Sequence, residues 1–510
     1  MPTRLIDVQA TDTSENLVRL VESNGKSPDK YVTLSHCWGQ RMLISLTKET
    51  CEQLKGGFPV EKLPKTFSDA VVTARKIGIR YLWIDSLCIQ QDSRDDWSRE
   101  SQTMHLVYSN SWCNLAATGA KDSSVGLFLD RDPSLVLPFQ ADVWAWEDES
   151  ISKPHTIFRT DTWNTYVYNS VLEQRGWVLQ ERTLSPRQLH FTKAGVFWEC
   201  RCLNATEYHP AGLPEVYTDE HLRFYKTFTG RLEAFQSSRA RIADERRSEE
   251  MSWIHDSWCA IVESYSRAKL TKSEDRPIAI AGLAMKIQLA LSDDYIAGFW
   301  RSRLVSQLYW SVDEPRRAHP FGLGRPRPLI APTWSWTSTM LPVKMFTQNP
   351  ACLDIDMAEV RDVQASHVAV DNCGDLAGRR QLRLYTIPWI ARSSGVESYD
   401  NSVHFITFPM LEGPYETFGY AVLDEAIDPA VEDTRPFVCA PLTYYDGPFV
   451  RMQGILLRQT GENSGVYERV GSWSSKDRAA RAKAAKLWFQ KLKSMTTEEK
   501  AKVYQELVIV

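Results

Sequence analysis

The sequence predicts an α/β protein, a parallel sheet flanked by helices, followed by a helical segment and a mostly β C-terminal region. Three observations carry this. Tyr81–Ile84 is an aromatic and β-branched run, the composition of a strand buried on both faces, and it ends at a carboxylate, Asp85. Tyr31–Ser35 also has strand composition and runs into His36-Cys37-Trp38-Gly39, where Gly39 permits a tight turn. Between the two, Phe67, Ala70, Val71, Ala74 and Ile77 follow helical spacing until Gly78 stops the helix.

The remaining elements follow in order. Thr66-Phe67-Ser68-Asp69, just after Pro64, reads as a capping-box start for the first helix. A second helix is expected from Ser93, with Trp97, Ser101, Met104 and Tyr108 on one face, and it leads to the apolar segment Trp112–Ala117. Strand, helix, strand, helix, strand argues parallel pairing, because parallel neighbours need a helix-sized return path with right-handed crossovers. The α/β unit is placed at residues 25–205, closing with Gln174–Arg182 and an expected strand Val196–Cys200. Residues 206–315 turn helical and charged, with Trp253, Ile254, Trp258 and Ile261 as an apolar core stripe. Short strands and loops rich in Pro and Gly dominate 316–475, as in Ala331-Pro332-Thr333-Trp334-Ser335-Trp336. Residues 476–510 are expected to hold a basic helix, Lys476–Glu506, whose cations form a solvated face.

Composition narrows the classes of function. A chain of 510 residues exceeds one ordinary core, and at roughly 150 residues per domain it suggests two to four units. The 43% hydrophobic and 24% charged content is that of a globular protein, while 18 Trp point to a rigid aromatic interior. A net charge of -4 argues against a nucleic-acid partner. Without a membrane-length apolar run or a basic leader followed by one, an intracellular, cytoplasmic protein without a membrane partner is expected. The 10 Cys are scattered, as free thiols in a reducing compartment would be, and Cys200-Arg201-Cys202 lacks the second pair that a zinc site requires. No metal is expected, and neither a Gly-x-Gly-x-x-Gly nor a P-loop motif implies a bound cofactor.

Site candidates fall at strand ends, where open α/β sheets place their ligand crevice. His36 and Asp85 each follow an expected strand, so Asp85 can orient His36 or hold a ribose hydroxyl; a buried structural hydrogen bond is the plainer alternative. Trp38 is a pocket-wall or core residue. Cys88, with Cys37, is a candidate nucleophile or core filler; in an extended strand His36 and Cys37 point to opposite faces, so only Cys88 can pair with His36. Arg175, Gln180, Glu181 and Arg182 form a second polar cluster, suited to a phosphate or an acidic metabolite, or else to bridging the sheet to the helical region.

Three blocks of the sequence resemble the fungal heterokaryon-incompatibility (HET) family: Tyr31-Val-Thr-Leu-Ser-His-Cys-Trp-Gly39, Leu63-Pro64 through Ile79-Arg-Tyr-Leu-Trp-Ile-Asp-Ser-Leu-Cys-Ile-Gln-Gln91 to Met104 and Tyr108, and Arg175-Gly-Trp-Val-Leu-Gln-Glu-Arg182. Later stretches also look like the region that follows this domain in long members, among them Gly298-Phe-Trp300, Leu308-Tyr-Trp310, Ala331–Ser338 and Tyr467–Gly471. The resemblance implies a Toll/interleukin-receptor-like fold, a role in fungal incompatibility or regulated cell death, and cleavage of the glycosidic bond of NAD. Trp97-Ser98-Arg99-Glu100 resembles the Trp-x-x-Glu pattern of enzymatic Toll-like domains, which makes Glu100 the first catalytic candidate, ahead of Asp85 and His36. Two alternatives stay open: a tailoring enzyme of fungal secondary-metabolite biosynthesis that performs cyclisation, rearrangement or hydrolysis, and a non-enzymatic scaffold. The implied partners are a small molecule, NAD or a fungal metabolite, and further copies of the chain in a homo-oligomer.

Overall fold

A computed structural model gives the structure of the protein. It describes residues 2–9, 16–23, 30–39, 44–135, 137, 139–145, 148–157, 159–214, 224–313, 325–326, 328–346, 354–364, 381–396, 403–409, 416–424, 436–445, 451–461, 465–475, 490, 492 and 494–510. The chain forms two compact units; the first comprises Met1–Arg241, Ala268–Leu270 and Ile278–Lys286, and the second holds the rest.

The first unit opens with β1 (Arg4–Asp7), β2 (Leu17–Glu22) and β3 (Tyr31–Ser35), then α1 (Lys48–Gly56), β4 (Phe58–Pro59), α2 (Lys65–Lys76), β5 (Tyr81–Ile84), the single turn α3 (Asp85–Cys88), α4 (Arg94–Ser109) and β6 (Cys113–Ala116). A two-stranded ribbon follows, β7 (Phe139–Ala145) and β8 (Asp148–Ile157), and then α5 (Gly176–Leu184), β9 (Arg187–Thr192), β10 (Gly195–Cys200), β11 (Asn204–Thr206) and α6 (Phe224–Ser238). Nine strands join in the order β11-β10-β9-β6-β3-β5-β1-β2-β4. Its centre, β9-β6-β3-β5, is parallel throughout, as the strand-helix alternation requires. The first of these four in the chain, β3, lies between the second and the third. The sheet therefore grows outward in both directions from β3, and that reversal is where open α/β sheets leave a crevice. α4, between β5 and β6, and α5, between β6 and β9, pack together.

The antiparallel edge β1-β2-β4 lies partly before residue 25, outside the span that the sequence marked. Gly78 ends α2 with φ +74, as expected, and Ser93 caps α4 by accepting from the Asp96 amide. The expected capping box at Thr66 and Asp69 does not form. α2 starts at Lys65 behind Pro64, with no side-chain cap. Thr66 Oγ1 instead accepts from the Gly126 amide at 3.1 Å, and Asp69 Oδ2 from the Leu127 amide at 2.9 Å, so both hold the loop after β6.

In the second unit, α7 (Asp244–Ser266) buries Ile254, Trp258 and Ile261 of the expected apolar stripe, whereas Trp253 is half-buried. α8 (Asp275–Leu291) runs through segments of both units. Then come β12 (Tyr295–Ile296), β13 (Phe299–Trp300), α9 (Leu304–Gln307), β14 (Ser311–Val312) and β15 (Val343–Lys344). β16 (Asp354–Asp356), β17 (Glu359–Gln364), β18 (Gln381–Thr386), β19 (Trp389–Val396), β20 (Val403–Pro409), β21 (Glu416–Leu423), β22 (Phe437–Tyr445), β23 (Arg451–Gln459) and β24 (Val466–Ser475) precede α10 (Thr497–Val503) and β25 (Gln505–Ile509). β16 to β25 make one ten-stranded sheet over a core that includes Trp389, Cys439, Leu456 and Trp473.

Three of the later sequence stretches meet here. Arg469, fully buried, forks onto Asp424 at 3.0 and 3.2 Å, donates at 2.6 Å to the carbonyls of Leu308 and Trp310, and lies 3.6 Å from the centroid of the Trp310 ring. Its amide donates to Thr333 Oγ1 at 2.9 Å. All three nitrogens of this buried guanidinium thus have acceptors, which offsets the cost of burying its charge. Most of the expected helix Lys476–Glu506 lies outside the described residues; its last part is α10, and from Gln505 the chain pairs as β25 with β18 and β24.

Candidate functional site

β3 and β5 end side by side, and their next residues carry the chemistry. Asp85 opens α3 with one fifth of its side chain exposed. Its Oδ1 accepts from the Ser86 amide at 2.7 Å and lies 3.7 Å from His36 Nδ1, while its Oδ2 accepts from the Trp38 indole at 2.9 Å. His36 is buried against the edge of Phe67. Burial pushes its pKa down to about 4 against the opposing pull of Asp85, so the imidazole is neutral at pH 7, and Nδ1 has no hydrogen-bond partner among the described residues.

Glu181, on α5, completes the cluster. It is buried and accepts on Oε2 from Ser35, the last residue of β3. The Tyr108 hydroxyl of α4 lies within reach of both. Burial pushes the Glu181 carboxyl up to about 7; Arg175, Ser35 and Tyr108 pull it down, and the Asp85 charge pushes it further up. Arg175, the residue before α5, donates through Nη1 to the His36 carbonyl and is half-buried. Ser35 is held in turn by Asn114 in the middle of β6. The Asn114 Nδ2 donates to Ser35 Oγ at 2.9 Å and to Gln188 at 3.2 Å, and its Oδ1 accepts from Thr33 at 2.9 Å. The structure thus brings together His36, Trp38, Asp85, Arg175 and Glu181.

The other candidates sit in different company. Glu100 is buried in α4, where it accepts from Thr3 Oγ1 at 2.7 Å and lies 3.7 Å from Arg99. No hydrogen bond or ion pair among the described residues joins it to His36, Asp85 or Glu181. Arg182 forks onto Glu199 at 2.9 and 3.2 Å, binds Glu173 at 3.0 Å and lies over the rings of Tyr168 and Tyr225, so all three of its nitrogens are engaged inside the unit. Gln180 is buried beside Gly282, and its Oε1 has no hydrogen-bond partner among the described residues. Burial raises the Cys37 and Cys88 thiols, Cys88 to about 12, which keeps them protonated at neutral pH and unsuited to nucleophilic attack.

Sequence reasoning passed over Ser35, Tyr108 and Asn114 as site residues. Asn114 carried a signal, a lone amide inside the apolar run Cys113–Ala116, since buried polar groups in a strand are there to bond something. Among the described residues no three His, Cys, Asp or Glu side chains could hold a metal ion.

The first unit is an α/β unit with a parallel centre, in which Asp85 follows β5 and Glu181 lies on α5. Residues 31–181 match the family model described as heterokaryon incompatibility protein (HET), a match that ends on Glu181 itself; the chain carries a HET domain. No curated protein and no solved structure gave a match. No helix among the described residues is long and apolar enough to cross a membrane.

Proposed function

We propose that this incompatibility-type protein hydrolyses the N-glycosidic bond of NAD in its HET domain. The observation that carries the reading is Glu181, a buried carboxyl that titrates near neutrality beside the partly exposed Asp85. A base works best when its pKa lies near the operating pH. Loss of nicotinamide leaves positive charge on the ribose, so a fixed carboxylate beside the ring lowers the barrier. In this scheme Asp85 accepts a ribose hydroxyl and faces that charge. Glu181 takes the proton of the attacking water as the water oxygen bonds to the anomeric carbon, and the electron pair of the broken C–N bond leaves with neutral nicotinamide. Trp38, held by Asp85, offers a flat wall for the nicotinamide ring, and the Arg175 guanidinium suits a phosphate oxygen.

The strand order, with β3 between its successors, supports the Toll/interleukin-receptor-like relation on which the NAD reading rests. That relation also points to Glu100, so the carboxylates must be separated by experiment. Purified protein incubated with NAD should release nicotinamide, measured by chromatography. Glu181→Gln and Asp85→Asn should each lower the rate by at least about a hundredfold, on the scale of acid-base catalysis. Absence of release, or release sensitive to Glu100→Gln and not to Glu181→Gln, would refute the assignment.

A further inference from the structure

The Ser35 hydroxyl proton has an acceptor on each side, in Glu181 and in Asn114, and the Tyr108 hydroxyl lies within reach as well. Glu181 Oε2 makes the shorter bond, and Asn114 Oδ1 lies 3.3 Å away on the other side. Asn114 cannot easily turn, because Thr33 donates to its Oδ1 while its Nδ2 is shared between Ser35 and Gln188. Ser35, Thr33, Asn114 and Gln188 are all buried, so water does not compete for these bonds.

We infer that Ser35 is a positioning residue, a hydroxyl that turns between Glu181 and Asn114 so that the carboxyl can take up and release a proton in a fixed place. This rests on the proposed role of Glu181 as a base. With Glu181 ionised, the Ser35 hydroxyl donates to Oε2 and accepts from Asn114 Nδ2. When Glu181 gains a proton it donates that proton to Ser35 Oγ, and the hydroxyl turns its own proton to Asn114 Oδ1, so that Glu181, Ser35 and Asn114 stay paired. Asn114 acts only through Ser35. The other groups that bear on Glu181 are Arg175 before α5, Tyr108 on α4, Asp85 after β5 and Cys37 after β3.

The test reads protonation directly, by the infrared absorption of the protonated carboxyl, taken as the difference between each protein and its Glu181→Gln counterpart. Removing the hydroxyl in Ser35→Ala takes a donor from the ionised form, so the midpoint should rise by about one pH unit, a tenfold gain in proton affinity. Ser35→Cys keeps the volume with a weaker donor and should fall between; it also serves if Ser35→Ala does not fold. Asn114→Leu should lower the midpoint of the wild type, because Nδ2 donates to Ser35 in both states while the protonated state alone uses the Oδ1 acceptor, and should have no effect when Ser35 is already Ala. A midpoint unchanged in folded Ser35→Ala and Ser35→Cys overturns the inference. So does an Asn114→Leu shift that persists without Ser35. These titrations need no turnover: the coupled shifts in a protein that leaves NAD intact would sink the hydrolase reading alone.

Discussion

Replacing Glu181 by Gln should make the HET domain more stable at alkaline pH than the wild type, although a buried hydrogen-bonded carboxylate is altered. The folded carboxyl has its pKa pushed from the ordinary 4.5 up to about 7, chiefly by burial. It holds its proton more tightly than the unfolded chain does, so its favourable contribution is complete below about pH 4.5 and is lost as pH rises through 7. At about 1.4 kcal/mol per pH unit the loss by pH 8 approaches roughly 3 kcal/mol. Gln keeps the volume and an acceptor for Ser35 without ionising. For a unit of this size the difference corresponds to roughly 6–12 °C in Tm. Thermal melts of both proteins at pH 5 and pH 8 measure it. The wild type should lose more Tm than the variant across that interval, and the comparison cancels His36, which both proteins share. Equal losses would mean that Glu181 ionises without penalty, and the argument from burial would fail.

Two further outcomes follow from the same unit. Glu199→Gln should cost about 3–5 kcal/mol, seen as a lower Tm, because it leaves the buried Arg182 guanidinium with Glu173 as its one remaining carboxylate. Gly282→Ala should destabilise by about 1–3 kcal/mol despite the better helix propensity of Ala, since a Cβ there would meet His105 Cβ at 2.3 Å and Gln180 Oε1 at 2.4 Å. An unchanged Tm in either variant would show that the packing can relax.

The centre of the fold was legible because its signals are local. Tyr81–Ile84 and Tyr31–Ser35 are apolar enough to be buried strands, and Gly78 and Ser93 mark helix ends through backbone geometry and capping. The edge strands β1 and β2 were not, because Arg4–Asp7 and Leu17–Glu22 mix charged with apolar residues and owe their conformation to pairing, β1 with β2 and with β5. Thr66 and Asp69 show the same limit, since the spacing of a capping box was drawn instead into holding a loop some sixty residues away. At the site, His36 and Asp85 were found from their positions after strands. Glu181 was seen only as one member of a polar run. What distinguishes it from Arg182 is the partner each meets, Ser35 in one case and Glu199 in the other, and those contacts span different loops of the chain.

The pH dependence of nicotinamide release from NAD tests the central claim most directly. With Glu181 as the base, kcat/KM should rise as pH passes through about 7 and level off above it, and the Glu181→Gln protein should show a low rate without that inflection. No release at any pH, or the same inflection in Glu181→Gln, would contradict the account.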